Sequence, residues 1–321
     1  MIRESMNKFN RIGVYGGGSW GAALACQAAR CNEIVQLFLR NQDVINEISR
    51  QGTIRKYFDD MELPRNINPS SDISLLLDQE VIIIAIPSTA FNSTLLALKE
   101  VNLPPETNLL IATKGIGSDP IELFSDKIKA ILPNPIAFIS GPNLAKEVAK
   151  NSLSSAIIAS CDINLADKLA NSLTSDNFIV TTTDDIITMQ VAGAMKNIIA
   201  IKSGIYDAKG YGENARAWLI TEGLKEITLL SKALGGRRDI MTSPAVLGDL
   251  VLTCYSKTSR NTRFGYEFYQ HKDRNKFLKS YTYLAEGLES IKLVLHIARK
   301  HDLELPIVTS VAKLLDGYVE S

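Results

Sequence analysis

The chain has few histidines, no paired cysteines and no long apolar run, and each shortage removes a class of protein. Its four cysteines, Cys26, Cys31, Cys161 and Cys254, are scattered through 321 residues with no C-x-x-C spacing. That argues against a disulfide framework or a zinc site. It points to a reducing compartment, with the thiols serving as small apolar residues and no metal bound. The longest aliphatic run, Val81–Ile86, is six residues, against the roughly 20 that span a bilayer as a helix. No apolar stretch follows the charges of Met1–Lys8, so the expectation is a cytoplasmic protein without a secretory leader or membrane span. An excess charge of one sign is missing too, since 35 Lys and Arg balance 35 Asp and Glu. A nucleic-acid binder carries a basic surplus and an acidic disordered chain the opposite, and neither fits. The three histidines, His271, His296 and His301, stand apart from the motifs below, so any acid–base residue is to be sought among other side chains. No H-E-x-x-H or Walker-type sequence occurs. With 45% hydrophobic and 22% charged residues, the length suits two globular domains with sizeable cores.

What is present begins with glycine. Arg11–Tyr15 suits a strand, Gly16-Gly17-Gly18-Ser19-Trp20-Gly21 follows, and Ala22–Arg30 is alanine-rich and helix-favouring. Gly16, Gly18 and Gly21 match G-x-G-x-x-G. In that motif the first glycine allows a tight turn, the second lets backbone approach a pyrophosphate, and the third lets helix pack on strand. Such a run also serves as a plain connection, but its place between strand and helix favours the dinucleotide reading. A second strand, 34–39, ends at Arg40-Asn41. Arg40 either faces a ribose 2′-phosphate, which favours NADP over NAD, or is simply solvated at a strand end. Apolar strands at 81–86, 108–113 and 136–139 stop at Pro87-Ser88-Thr89, Lys114-Gly115 and Ser140-Gly141-Pro142-Asn143. Helical patterns such as 121–132 lie between them, further strands are expected near 154–160 and 178–182, and 55–72, with Pro64 and Pro69, reads as irregular. This alternation predicts an α/β fold, with an N-terminal Rossmann-type doubly wound parallel sheet.

From about Thr188 the strands vanish and helical patterns take over, at 189–206, 214–234, 243–254, 284–301 and 308–318. The expected division is therefore a dinucleotide-binding domain over 1–188 and an all-α C-terminal, substrate-binding domain over 189–321. Between Ile186 and Ile201 the only charged side chain is Lys196. It is either a desolvated lysine tuned for proton transfer or a lysine whose stem lies on apolar surface while its amine reaches water. Asp249 is similarly isolated in Leu247–Cys254, and could orient a lysine or cap the following helix. Ser259-Arg260-Asn261-Thr262-Arg263-Phe264-Gly265 collects donors suited to a phosphate, although taken by itself the segment reads sooner as a solvated loop.

Taken together, these segments resemble the bacterial NAD(P)-dependent glycerol-3-phosphate dehydrogenases, from about Arg11 to Pro306 and in the same order. The resemblance is carried by the glycine run, Pro87-Ser88, Thr113-Lys114-Gly115, Ser140-Gly141-Pro142, Lys196-Asn197, Asn214-Ala215-Arg216, Gly248–Cys254, Ser259-Arg260-Asn261 and Glu286-Gly287. It implies reversible reduction of dihydroxyacetone phosphate to sn-glycerol 3-phosphate by NADPH or NADH, feeding glycerophospholipid synthesis, in a homodimer. Beyond the glycines, it places Ser19, Trp20, Arg40, Lys114, Ala145, Arg260, Leu284 and Glu286 at the cofactor. Around the substrate it places Lys114, Gly141, Lys196, Asp249, Ser259, Arg260 and Asn261, with Lys196 transferring the proton. Asn143 stands where the family has Ser or Thr, and Val246 where a glycine commonly precedes Leu-Gly-Asp. A reductase of the 3-hydroxyacid class and a catalytically silent dinucleotide sensor are the rival readings.

Overall fold

A strand covered on both faces carries apolar side chains on both, and β4 (Val81–Ile84) is the purest case, with all four residues buried. In the computed structural model, which describes residues 7–118, 121–281 and 286–315, β4 lies near the middle of an eight-stranded sheet. Its other strands are β1 (Arg11–Tyr15), β2 (Ile34–Phe38), β3 (Ile67–Ser70), β5 (Asn108–Ile111), β6 (Ile136–Ser140), β7 (Ser154–Ala159) and β8 (Phe178–Thr183). The order is β3-β2-β1-β4-β5-β6-β7-β8. Helices α1 (Ser19–Cys31), α2 (Gln42–Gln51), α3 (Arg55–Phe58), α4 (Phe91–Glu100), α5 (Phe124–Ile131), α6 (Ala145–Ala149) and α7 (Ile163–Leu173) connect the strands. Sequence order reverses between β1 and β4, the switch point at which such sheets bind ligands beyond the strands' carboxyl ends.

Two features differ from the sequence expectation. The stretch 55–72 is not irregular throughout, since it holds α3 and the edge strand β3. Pro69 cannot donate to a ladder, but an edge strand needs only one partner, and β2 supplies it: Val35 and Leu39 N–H donate to Asn66 and Ser70 C=O at 3.0 and 2.9 Å. The sheet is also not parallel throughout, because β7 runs antiparallel to β6. The only helix between them, α6, has five residues and spans about 8 Å, too little to carry the chain back along a strand.

The chain divides into two compact units, Met1–Thr113 with Ser125–Ile186, and Lys114–Phe124 with Ile187–Ser321. The second unit is helical: α8 (Ile186–Ala208), α9 (Gly212–Ala233), α10 (Asp249–Tyr255), α11 (Arg260–Gln270), α12 (Arg274–Ser280), α13 (Glu286–Lys300) and α14 (Pro306–Leu314). The ends expected at 284–285 and 316–318 lie outside the described residues. The single helix expected over 243–254 is instead a π-helical turn, Pro244–Gly248, followed by α10. α11 begins where the Ser259 segment could have made a solvated loop, and α12 follows it. No helix of the described residues is long and apolar enough to cross a membrane.

Helix α8 is buried around nearly its whole circumference from Thr188 to Ile201. It meets α11 through two glycines. A Cβ on Gly204 would sit 1.9 Å from Thr262 O, and one on Gly265 would sit 2.0 Å from Ile201 O. Only hydrogen fits at either place, and that contact fixes where α11 begins. Gly204→Ala and Gly265→Ala are each expected to cost about 1–3 kcal/mol through overpacking, read as a lower urea midpoint, whereas alanine at the open Gly210 meets no neighbouring atom and costs only its left-handed backbone strain.

Candidate active site

In the sheet unit the glycine turn joins β1 to α1. Gly16 has φ +130°, and a Cβ there would fall 2.2 Å from Ala85 O; on Gly21 it would fall 1.9 Å from Gly16 O. The fold itself therefore demands these two glycines. Gly18 is different: its backbone is extended (φ −75°, ψ 174°) and nothing lies within 4 Å of where a Cβ would be. The space above it is a cradle open to a ligand. Helix α1 starts there with no side-chain cap and no acidic residue in its first turn, so its free N–H groups suit an anion. The Trp20 indole N–H is buried without a partner. These residues fit a bound dinucleotide.

Arg40 is exposed just past β2, where Asn41 caps α2 by accepting from the Asp43 and Val44 N–H groups. After β6, a Cβ on Gly141 would come 2.3 Å from Ser155 O. Asn143 donates from Nδ2 to that same carbonyl at 2.9 Å, while its Oδ1 is buried without a partner. Ala145 opens α6.

In the helical unit, Lys196 is buried at 7% exposure. It is not a lysine reaching for water. Its Nζ donates to Asp249 Oδ1 at 2.6 Å and to Thr253 Oγ1 at 3.2 Å. Lys114, which immediately follows Thr113 in the chain, lies against Gly193 and donates to Asp249 Oδ2 at 2.6 Å. One carboxylate thus holds two ammonium groups, and Asp249 does not cap its helix: α10 has no side-chain cap. Burial pushes Lys196 down to about 8, with the Lys114 ammonium helping and Asp249 opposing. For Lys114 burial pulls the same way, but Asp249 leaves it above the usual lysine value. Burial alone would raise Asp249; the two ammonium groups outweigh it and hold the carboxyl below its ordinary range.

Around this cluster, Asn197 Nδ2 donates to Glu286 Oε2 at 3.5 Å, and Asn261 Oδ1 accepts from Gly287 N–H at 3.1 Å. Ser259 caps α11, accepting from Thr262 N–H at 3.3 Å, and Arg260 is exposed on the first turn. Leu284 lies outside the described residues. The structure thus joins Lys114, Lys196 and Asp249 directly, and links Asn261 to Asn197 and Glu286 through Gly287. Sequence reasoning missed Thr253, which also donates to Asp249 O at 2.6 Å; its spacing of four residues from Asp249 on one helix was the available signal. No group of His, Cys, Asp or Glu among the described residues is placed to hold a metal.

A Rossmann-type sheet with an open pyrophosphate turn, and a helical unit carrying a buried lysine–carboxylate–lysine cluster, define a two-unit nucleotide-dependent oxidoreductase. Family models described as the N-terminus and C-terminus of NAD-dependent glycerol-3-phosphate dehydrogenase match residues 11–166 and 185–320. The chain is 52% identical over 314 residues to glycerol-3-phosphate dehydrogenase (NAD(P)+) of Rickettsia bellii, covering 97% of this chain and 100% of that protein. It is 52% identical over 315 residues to the Rickettsia prowazekii enzyme of the same name, covering 97% and 99%. A crystal structure of glycerol-3-phosphate dehydrogenase from Coxiella burnetii superposes with a TM-score of 0.88 at 34% identity, covering 96% of this chain and 95% of that one. The chain belongs to the NAD-dependent glycerol-3-phosphate dehydrogenase family.

Asp249→Asn would leave the buried Lys196 and the half-buried Lys114 ammonium groups without a counter-charge, and losing one partner of a buried ion pair typically costs about 3–5 kcal/mol. The lysines of the folded variant would then bind protons less tightly than those of the unfolded chain, so the variant gains stability as pH rises. Its deficit against wild type in urea is expected to be large where both lysines are charged and to shrink as pH rises, Lys196 of the variant losing its proton below the value of about 8 that it has beside Asp249.

Proposed function

We propose that the protein reduces dihydroxyacetone phosphate to sn-glycerol 3-phosphate with NADPH or NADH, reversibly, in the cytoplasm and as a homodimer, supplying the backbone of glycerophospholipids. The sheet unit, within residues 1–188, takes the role of dinucleotide-binding domain, and the helical unit, chiefly 189–321, that of substrate-binding and catalytic domain. The observation that carries this reading is the hydrogen-bond count at Lys196. An ammonium has three N–H donors; Asp249 and Thr253 take two, and the third serves the ketone oxygen.

The nicotinamide, when bound, supplies a hydride. The chain's own residues then do the following. Gly16, Gly18, Gly21 and the first N–H groups of α1, at Ser19 and Trp20, hold the pyrophosphate; Arg40 takes a 2′-phosphate when one is present; Ala145, Leu284 and Glu286 are assigned to the cofactor from the family resemblance. Lys196 stabilises the developing alkoxide and gives it a proton. A value near 8 keeps it charged at neutral pH while making it a better donor than an ordinary lysine. Asp249 fixes the position of its amine. Lys114, raised rather than lowered, stays a fixed cation toward the substrate and cofactor phosphates. Arg260, Ser259 and Asn261 receive the substrate phosphate, and Gly141 is assigned to the substrate as well. With its Oδ1 committed to Gly287, Asn261 offers a ligand only donors, which matches an anion.

Mixing the protein with NADPH and dihydroxyacetone phosphate should consume the nicotinamide absorbance, and no turnover would overturn the reading. Lys196→Met is expected to lose roughly 10²–10⁴-fold in kcat, and Lys196→Arg to restore charge but not turnover, since guanidinium does not give up its proton. Wild-type ketone reduction should fall as pH rises through about 8, with the reverse oxidation rising over the same interval. Arg260→Ala should raise KM for the phosphorylated ketone while leaving unphosphorylated dihydroxyacetone little changed.

A further inference from the structure

Away from this site, the ends of α8 and α11 meet the starts of α9 and α12 in a row of alternating cations and rings. The Tyr206 and Tyr211 ring centroids are 5.1 Å apart. The Lys209 ammonium stands 5.4 Å from the Tyr211 centroid and 5.2 Å from that of Tyr269. The Arg274 guanidinium stands 4.9 Å from Tyr269 and 5.6 Å from Phe268, and Lys202 lies 5.5 Å from Tyr206. Gln270 Nε2 donates to Ala208 O at 3.1 Å and ties the two helix ends together. Lys209, Tyr211 and Arg274 are exposed, Tyr211 to 54%.

The charge of this face is one-sided. Leaving aside Arg260, residues 257–281 carry six lysines and arginines against two acidic residues, Glu267 and Asp273, in a chain whose total charge is zero. Both acids have partners of their own. Glu267 lies 3.8 Å from Arg263, and Asp273 accepts from Lys276 N–H at 2.9 Å. The neighbouring acids on α8 and α9, Asp207 and Glu213, face Arg216 at 2.8 and 3.9 Å. Among the described residues no carboxylate pairs with Lys209 or Arg274.

We propose that this face docks on the surface of an anionic phospholipid bilayer, its cations on headgroup phosphates and its tyrosines at the interface. Basic side chains near such a surface each add attraction, and tyrosine, with an apolar ring and a polar tip, belongs at that depth. A nucleic acid is the poorer match, because single strands bind by stacking bases on free aromatic faces, and Tyr269 is already covered by two cations. The proposal is independent of the reaction assigned above.

The test is co-sedimentation of the full chain with vesicles of mixed phosphatidylglycerol and phosphatidylcholine, and with vesicles of phosphatidylcholine alone. Binding is expected only to the anionic vesicles, and is expected to weaken as salt screens the headgroups. The pair Lys209→Glu and Arg274→Glu should lose roughly 10-fold or more in vesicle affinity while retaining wild-type reductase turnover, which shows that the variant folds. Tyr211→Ser should weaken binding at low and high salt alike. Absence of binding by wild type, equal binding by the charge-reversed variant, or displacement from vesicles by a lower concentration of single-stranded RNA would each overturn the proposal.

Discussion

The helical unit is organised around one carboxylate that holds two ammonium groups. Removing three charges from water is costly, and a buried cluster of this kind is weak support for stability. Its geometry explains what surrounds it. α8 is enclosed by mostly apolar residues, so Lys196, only 7% exposed, finds its counter-charge inside. Gly193, three residues earlier, faces the Lys114 stem, where an added Cβ would make an ordinary 3.7 Å contact. Lys114 itself comes from the short segment that follows β5, Lys114–Phe124, which belongs with the helices and not with the strand before it. A residue next to a strand end in sequence is thereby made part of the acid–base cluster.

The wide turn ahead of Asp249 serves the same end. Ser243 O accepts from both Val246 and Gly248 N–H at 3.2 Å, and Asp249 N–H reaches back to Pro244 O. In an α-helix each residue turns about 100°, so one extra residue in the loop rotates everything after it relative to the helix start. π-helical turns of this kind recur at functional sites. Here the turn sets which way the first residue of α10 faces. Val246, where the family commonly has glycine, is buried inside the turn and has a negative φ, so the turn has no need of glycine at that position.

Much of this was legible in sequence, for reasons that differ from residue to residue. The glycine turn was readable because its spacing reports steric demands at Gly16 and Gly21 and an absence of demand at Gly18. Lys196 and Asp249 were readable as lone charges in apolar runs. Their pairing was not, because it spans 53 residues, and Lys114 reaches Asp249 across 135. No local pattern carries such a contact. β3 was hidden by Pro69, which only an edge position tolerates. α11 was hidden by its composition, which includes Gly265 and six other weak helix formers; its Ser259 cap was visible, but the helix depends on a glycine contact with α8 that lies in another part of the chain.

The scarcity of histidine also acquires a physical meaning. An ordinary imidazole is mostly neutral at neutral pH and would bring no charge to a developing alkoxide. A lysine is charged there but ordinarily holds its proton too tightly to be an efficient acid. Burial and the adjacent Lys114 bring Lys196 down to about 8, between these limits, and Asp249 stops the fall before the charge is lost. The charge of the second lysine therefore adds to burial in loosening the proton on the first. Burial outweighs Asp249 at Lys196, while Asp249 outweighs burial at Lys114, so one carboxylate leaves its two lysines with opposite tendencies.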